Sequence, residues 1–512
     1  MKFIRRTDLD SPTRLWMALA MRGRGFRDWG LVSEVARGYG VSRQFLYDNE
    51  AFLLRSFAGP SAPQTGLSDE LRHKLILCLR LHCNGSIEGI SKTLEALGWG
   101  SDSTGHISEF LHATAKSCSL EIPCKGSPVV LMLDEIFANG SPVFVVLEAA
   151  SHYILDIVLM ADRKADTWEG VLRRLQTAGV DIELLVKDQG SSLKAAALAL
   201  GLAERADLFH LLKLFDPYLP SLERHAYGAM EEEFERGRVF ENRKCEGSLE
   251  KGLAKYEAAC VETLKAMRAS DNYDDLHKCL HDAFNSFTAE GRLRTRKMAE
   301  GDIEAALSLM ESEFPSHNGI LAAIKFLRKN LPDYWSYFEQ LERIVRHQAK
   351  TITEHTLRAG CLAWQLERKA MAVKSSHWKK ELARQSKAQL ELALTGASEG
   401  LKTAVQALFA ALDSNVRSSS PLEAINSIIR NHLNACRSQI TQESLTLLAF
   451  FLNHRTATRG KYAGSSPYAR LTGMPEQDSP IEQLLKASPR AVKWETKSHA
   501  RPLAETDLLR VA

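Results

Sequence analysis

Several features are missing from this chain. No run of about 18 apolar residues occurs in its 512 residues, so no segment reads as a membrane span. The opening MKFIRRTDLDSPTRLWMALAMRGRG is charged, and its apolar stretch Trp16–Met21 is too short for a secretory signal, so a cytoplasmic location is expected. The nine cysteines are odd in number and scattered, at Cys78, Cys83, Cys118, Cys124, Cys245, Cys260, Cys279, Cys361 and Cys436, with no Cys-x-x-Cys pair. That pattern excludes a zinc ribbon or disulfide framework and predicts buried, reduced thiols. Neither charge sign dominates: 66 Lys and Arg face 63 Asp and Glu, for a net +3. A uniformly basic DNA-coating protein is thereby excluded, while local basic faces remain possible. No internal repeat of fixed period is visible.

The apolar fraction is 45%, enough for roughly two to four ordinary cores. Charge is uneven along the chain. Residues 1–60 carry ten Lys/Arg against six Asp/Glu, and residues 417–470 carry seven against two. Pro60–Gly66 reads as a linker and Ser117–Pro128 as a connector. Residues 129–215 carry short apolar runs, Val129–Leu133, Val143–Leu147, Ile154–Met160 and Ile182–Val186, with a further brief strand at Asp207–His210. A helix opens near Asp166-Thr167, with one of the two as its cap, and another follows Gly190-Ser191-Ser192. Strand, strand, strand, helix, strand, helix, strand describes a mixed α/β sheet.

From 216 to 415 only helical periodicity appears. Leu249, Leu253, Tyr256, Cys260, Leu264 and Met267 share one helical face, as do Tyr334, Phe338, Leu341 and Val345, and both faces are expected to pack in a helical core. Beyond Gly473 the pattern fades, and 476–512 reads as a tail.

The basic N-terminal segment contains a helix-turn-helix layout. Val32, Val35 and Ala36 line the inner face of the first helix, Gly38 and Gly40 permit the turn, Val41 fills the corner and Ser42 caps the second helix. The second helix begins Ser42, Arg43, Gln44, with Tyr47 one turn on, residues that suit phosphate and base-edge contacts. A second candidate module takes Ser86–Leu94 as supporting helix, Gly98–Ser101 as turn and Asp102–His112 as recognition helix, presenting Thr104 and His106 early. The alternative for the first module is a small helical hairpin in a core; in the second, Asp102 is an unfavourable neighbour for phosphate.

Three carboxylates form the candidate chemistry. Asp134 ends the first apolar run and Asp188 follows the fourth, so both should lie on one sheet edge, where open α/β folds place their chemistry. The third is Glu423, in Ser418-Ser419-Ser420-Pro421-Leu422-Glu423, where Pro421 suits the first turn of a helix and a serine its cap. Glu423, Asn426 and Arg430 fall on one face of that helix. Three carboxylates can hold two hard divalent cations, the set that two-metal phosphoryl transfer requires. By itself His210 reads as a core histidine, and Lys187 reads either as a DNA contact or as a strand-end charge.

These residues in this order resemble a family, the DDE transposases of prokaryotic insertion sequences. The matching segments are Asp134 in VVLMLDEIF, Asp188 in LLVKDQGSSLKAAA and Glu423 in SPLEAINSIIR, with Asp207-Leu208-Phe209-His210, Phe451–Arg455 and Ser466–Gly473 as further likenesses. The resemblance implies an α/β RNase H-like catalytic core interrupted by an all-α insertion and preceded by all-α helix-turn-helix modules. Its segments would be 1–60 and 67–118 for the two modules, 125–215 and 416–475 for the halves of the core, 216–415 for the insertion and 476–512 for the tail. It further implies two Mg²⁺ or Mn²⁺ ions held by Asp134, Asp188 and Glu423, support from Asp207, His210, Asn426 and Arg430, binding of element-end and target DNA, and a homodimer or higher oligomer. A regulator of the same fold that has lost strand transfer, and a structure-specific nuclease, are the rival readings.

Overall fold

The computed structural model describes residues 9–22, 30–57, 68–97, 103–118, 120–138, 140–242, 248–436 and 440–488. The linker at Pro60–Gly66, the turn at Gly98–Ser101 with Asp102, Cys245 and residues 489–512 lie outside them. Among the described residues, those up to Ser117 and from Leu485 form one compact unit, and Cys118–Leu484 form the other. No helix there is long and apolar enough to cross a membrane. Among the described residues no cysteine is in a disulfide; Cys118, Cys124 and Cys361 are buried, whereas Cys83 and Cys279 are exposed, contrary to the expectation of buried thiols.

The first unit is helical. Leu31–Gly38 and Arg43–Phe57 pack with Ser11–Arg22 around Met17, Met21, Val35, Ala36 and Leu46. The turn between the first two needs only one of its two glycines in a left-handed conformation, Gly40 at φ 58°. Val41 N–H returns to the Ala36 carbonyl at 2.9 Å, and the Ser42 hydroxyl accepts the Phe45 N–H at 3.0 Å as a side-chain cap. Ile87–Ala96 is capped by Ser86, and Thr104–Ser117 starts from Ser103, whose hydroxyl accepts the His106 N–H. The second helix therefore begins two residues later than expected and runs five further.

The second unit holds one five-stranded sheet: β1 (Pro128–Ala138), β2 (Ser141–Glu148), β3 (Ile154–Leu159), β4 (Asp181–Lys187) and β5 (Glu204–Ala206), in the order β3-β2-β1-β4-β5. β1 pairs antiparallel with β2 and parallel with β4; β2–β3 is antiparallel and β4–β5 parallel. One face, with Val129, Leu131, Leu133 and Leu185, packs on helices Ala165–Thr177 and Ser191–Ala199, where Trp168 stacks on Phe144 at 3.7 Å. The helix Ser420–Cys436 packs against β1 and Gln442–His454 against β3. The free edge of β3 is covered by side chains. Gln442 accepts from Leu159 N–H and donates to the Ile157 carbonyl, and Asn453 does the same at Ile154, all at 2.7–2.9 Å.

Four expectations change. Asp207–His210 is not a strand. β5 stops at Ala206, and Asp207 caps the helix Leu208–Lys213 by accepting the Phe209 N–H, a local bond that competes with sheet pairing. Neither Asp166 nor Thr167 caps the helix at 165; Lys164 occupies the cap position, and Thr167 donates instead to Asp162. The tail does not begin at 476. Glu476 bonds His454, Ser466 and Gln483, and Pro480–Ala487 is a helix burying Ile481 and Leu484. The Leu249–Met267 stripe is only partly covered. It lies on the 35-residue helix Leu249–Ala283, paired with Tyr218–Glu241, and Leu249 and Leu264 remain more than half exposed because a two-helix hairpin shields one side alone.

Most of the other helices between 216 and 415 share one core with the end of the sheet. Leu208, Leu211, Leu212 and Phe215 join Tyr273, Phe284, Ile303, Leu327, Tyr334, Phe338 and Leu341 in a single buried cluster. Arg205 on β5, 2% exposed, fastens the outgoing and returning ends of this segment. It donates to Asn415 at 2.9 Å, to the Val416 carbonyl, to Gln340 at 2.8 Å and to Ser336 at 3.1 Å, with Tyr337 against its guanidinium. Replacing Arg205 with Met leaves the buried Asn415 oxygen, and the part-buried Val416, Gln340 and Ser336 oxygens, without this donor; a buried acceptor left unpaired costs about 1–3 kcal/mol. Arg205→Met should therefore lower the urea-unfolding free energy by about 2 kcal/mol or more and expose the 216–415 helices to protease; unchanged stability would remove Arg205 from this role.

Candidate active site

Sheet register places the two aspartates. The parallel pairing of β1 with β4 ends at Leu133↔Lys187, so Asp134 and Asp188 are the next residues on adjacent strands. Side chains in register on parallel strands share a face. Asp134 does not end its strand, as the apolar run implied. β1 continues to Ala138 beside β2, and Asp134 marks the point where β1 outruns β4. Both aspartates line a cleft of about 310 Å³ with Glu135, Arg163, Ser191 and Ser192. Asp188 accepts the Gly190 N–H at 3.0 Å, and a Cβ on Gly190 would stand 2.9 Å from that same oxygen, so the glycine leaves room for the carboxylate.

Glu423 arrives from the far side of the helical segment. Leu208 N–H bonds the Arg417 carbonyl at 3.1 Å, and the Asp207 carboxylate accepts the Ser419 N–H at 2.9 Å and the Ser419 hydroxyl. Residues 206–215 and 416–425 are thus neighbours, despite the 200 residues between them. The Ser419 hydroxyl is committed to Asp207 instead of capping the helix. Asp207 is fully saturated, because it also accepts from Phe209 N–H and, at 2.6 Å, from His210 Nδ1. The other ring nitrogen of His210 lies 3.5 Å from Glu423, and Arg430 lies 3.6 Å from the second Glu423 oxygen. One turn beyond Glu423, Asn426 is wholly buried and donates to Asp134 Oδ2 at 2.6 Å, while its own Oδ1 has no hydrogen-bond partner.

Electrostatics follow this packing. Burial, then the Glu423 charge, then Asp188 push the Asp134 carboxyl up to about 7, against the pull of His210 and Arg430. Burial alone would deprotonate His210, but its hydrogen bonds to Asp207 and Glu423 outweigh this and lift it to about 10. The His210 hydrogen bond in turn lowers Glu423, against its burial and with help from Arg430 and Lys213. Oxygen donors of this kind, two carboxylates across a strand pair, a third on a helix and an orphaned amide oxygen, suit hard divalent cations.

Other candidate residues divide. Lys187 is 1% exposed and 3.1 Å from Glu204, so it is a buried ion-pair partner at the strand end. In the first unit, Ser42 caps its helix, Arg43 and Tyr47 are exposed, and the Gln44 amide donates to Asp48 at 2.9 Å. Thr104 is exposed and His106 half-buried on their helix. Arg205, Ser419 and Asn415 were not singled out in the sequence. Arg205 carries no local signal, and the local signal at Ser419 is that of a helix cap, so the long-range roles of both show only in the contacts they make.

No protein-family model matches the chain, and no curated protein matches it. Among solved structures, the Drosophila P element transposase strand transfer complex aligns over 70% of this chain and 100% of that one, at 13% identity and a TM-score of 0.26, a likeness too slight to carry an argument.

A raised carboxyl favours folding below its unfolded value and loses that contribution as pH climbs through its folded value of about 7. In chelator-treated protein, Asp134→Asn should therefore raise thermal stability at pH 8, by on the order of 2–4 kcal/mol, and by little near pH 4. Equal effects at both pH values would show that Asp134 is not held protonated by its surroundings.

Proposed function

We propose that this chain is a transposase of the DDE type, cutting and joining DNA strands with an RNase H-like core. The observation that carries the reading is the convergence on Asp134: Asp188 in the next register position, and the Glu423 helix bonded to it through Asn426. The strand order, with three antiparallel strands extended by two parallel ones, supports the same reading. Asp134, Asp188 and Glu423 would hold two Mg²⁺ or Mn²⁺ ions, with the Asn426 Oδ1 available beside them. Bound there, such ions would make water or a 3′-hydroxyl nucleophilic and neutralise charge on the phosphate.

The chain's own groups prepare that site. His210, fixed by Asp207, stands 3.5 Å from Glu423 and helps to keep it ionised. Asn426 fixes the rotamer of Asp134 and joins the helix to the sheet. The start of the helix Ser191–Ala199, with Ser191 and Ser192 lining the cleft beside Asp188, offers backbone N–H groups to a phosphate. Arg430, about half exposed on the Glu423 helix, supplies positive charge for a DNA backbone. In the first unit, Arg43, Gln44, Tyr47, Thr104 and His106 are proposed to read element-end DNA, Gln44 after releasing Asp48, with Ser42 holding the start of the Arg43 helix.

The test uses the inverted repeats flanking the coding region as substrate. Asp188→Asn and Glu423→Gln should each reduce Mg²⁺-dependent cleavage and strand transfer to background while end binding is retained. Near wild-type cleavage by either variant would remove that carboxylate from the metal site. Recognition is tested separately. Arg43→Ala in the full chain should reduce discrimination between cognate and scrambled ends by about 1–3 kcal/mol if Arg43 reads a base. An equal loss on both DNAs would make it a phosphate contact.

A further inference from the structure

A second group of metal-binding side chains lies away from the three carboxylates, where the helical segment leaves the sheet. His277 and His281 are one turn apart on the helix Leu249–Ala283, and their Nε2 atoms face each other at 3.2 Å. Asp216, just beyond the helix Leu208–Lys213, places Oδ1 3.4 Å from His277 Nε2. A donor atom from each of the three lies within 4.8 Å of those of the others.

The 3.2 Å nitrogen–nitrogen spacing fits either a hydrogen bond or the edge of a metal polyhedron, and the 3.4 Å nitrogen–oxygen spacing fits the polyhedron better. A tetrahedral ion with ligands at about 2.0–2.1 Å has ligand–ligand edges of about 3.3 Å. A charge-assisted imidazole–carboxylate hydrogen bond is shorter, at about 2.7–2.9 Å. Two neutral imidazoles with Nε2 facing Nε2 also set at least one lone pair toward the gap when one of them donates. The frame around the group is rigid. Tyr273, wholly buried, stacks on the His277 ring at 5.9 Å and donates its hydroxyl to the Phe215 carbonyl at 2.7 Å, next to Asp216. One side chain thus holds both halves of the group in place. The His277 side chain is 17% exposed and that of Asp216 57%, which leaves a route for an ion and a position for water.

We infer that Asp216, His277 and His281 form a binding site for a borderline transition-metal ion, Zn²⁺ by preference, that braces the helical segment against the end of the sheet domain. Two imidazoles and one carboxylate suit Zn²⁺ and its neighbours, with Co²⁺ as a spectroscopic substitute, whereas Mg²⁺ seeks six oxygens. The site is therefore chemically distinct from the carboxylate cleft. An ion there would tie the segment six residues after His210 to the longest helix of the chain.

Chelator-stripped full-length protein, in excess Mg²⁺, is titrated with Co²⁺ and followed by visible absorption. One Co²⁺ should bind with the intense bands of a four-coordinate site, and Zn²⁺ should displace it. His281→Ala should weaken binding by about tenfold or more. So should Asp216→Asn, a substitution at an exposed side chain that leaves the packing intact. Zn²⁺ should raise the thermal midpoint of the wild-type chain and not that of Asp216→Asn, while His225→Ala, on the helix Tyr218–Glu241 and outside the group, behaves as wild type. Absence of the bands, or unchanged Co²⁺ affinity in folded Asp216→Asn, overturns the inference.

Discussion

The buried Asp207 carboxylate accepts hydrogen bonds from Phe209, His210 and twice from Ser419. A carboxylate with no access to water needs its lone pairs filled and its charge balanced, and these donors together with the His210 imidazolium do both. The consequence is geometric. The end of β5, the start of the Leu208–Lys213 helix and the start of the Glu423 helix are held at one point. His210 is shared between Asp207 and Glu423, so the orientation of Glu423 depends on a group that never enters the cleft.

That anchor explains how a long helical segment can separate two parts of one site without displacing either. The segment shares its core with Leu208, Leu211, Leu212 and Phe215, so it begins as a continuation of the sheet domain's packing. Its return is fixed at Asn415 and Val416 by Arg205, and at Arg417 and Ser419 by Leu208 and Asp207. Entry and exit meet across β5, so the start of the Glu423 helix is fixed there.

The carboxylate cluster itself works against stability. Burial and two neighbouring carboxylates raise Asp134 to about 7, so like charges are held close together there. Asn426 relieves part of it by donating to Asp134, yet leaves its own Oδ1 without a partner inside the protein. Buried orphan acceptors are uncommon in folded proteins, and they collect where a ligand completes the coordination. Repulsion between like charges and an orphan oxygen in one place suit the cation site proposed above.

Much of the sheet and of the candidate site was legible in sequence, because the signals there are local. Apolar runs of five to seven residues marked four strands, and Asp134 and Asp188 stood out because each breaks such a run. Glu423 stood out by its serine- and proline-led helix start, with Asn426 and Arg430 at helical spacing. Other assignments failed where a side chain chose a distant partner over a local one. Asp207-Leu208-Phe209-His210 reads as a strand until the Asp207 side chain is seen capping a helix, and the Ser419 hydroxyl turns from its own helix to Asp207. The full extent of β1 was hidden because only its pairing with β2 continues past Asp134. The chain by itself determined which residue types stand at strand ends and helix starts, since periodicity and capping act within a few residues. Only the tertiary structure decided that Glu423 meets Asp134, because that depends on Arg205 and Asp207 closing a segment of some 200 residues, and no short-range pattern records which buried donor will find which acceptor.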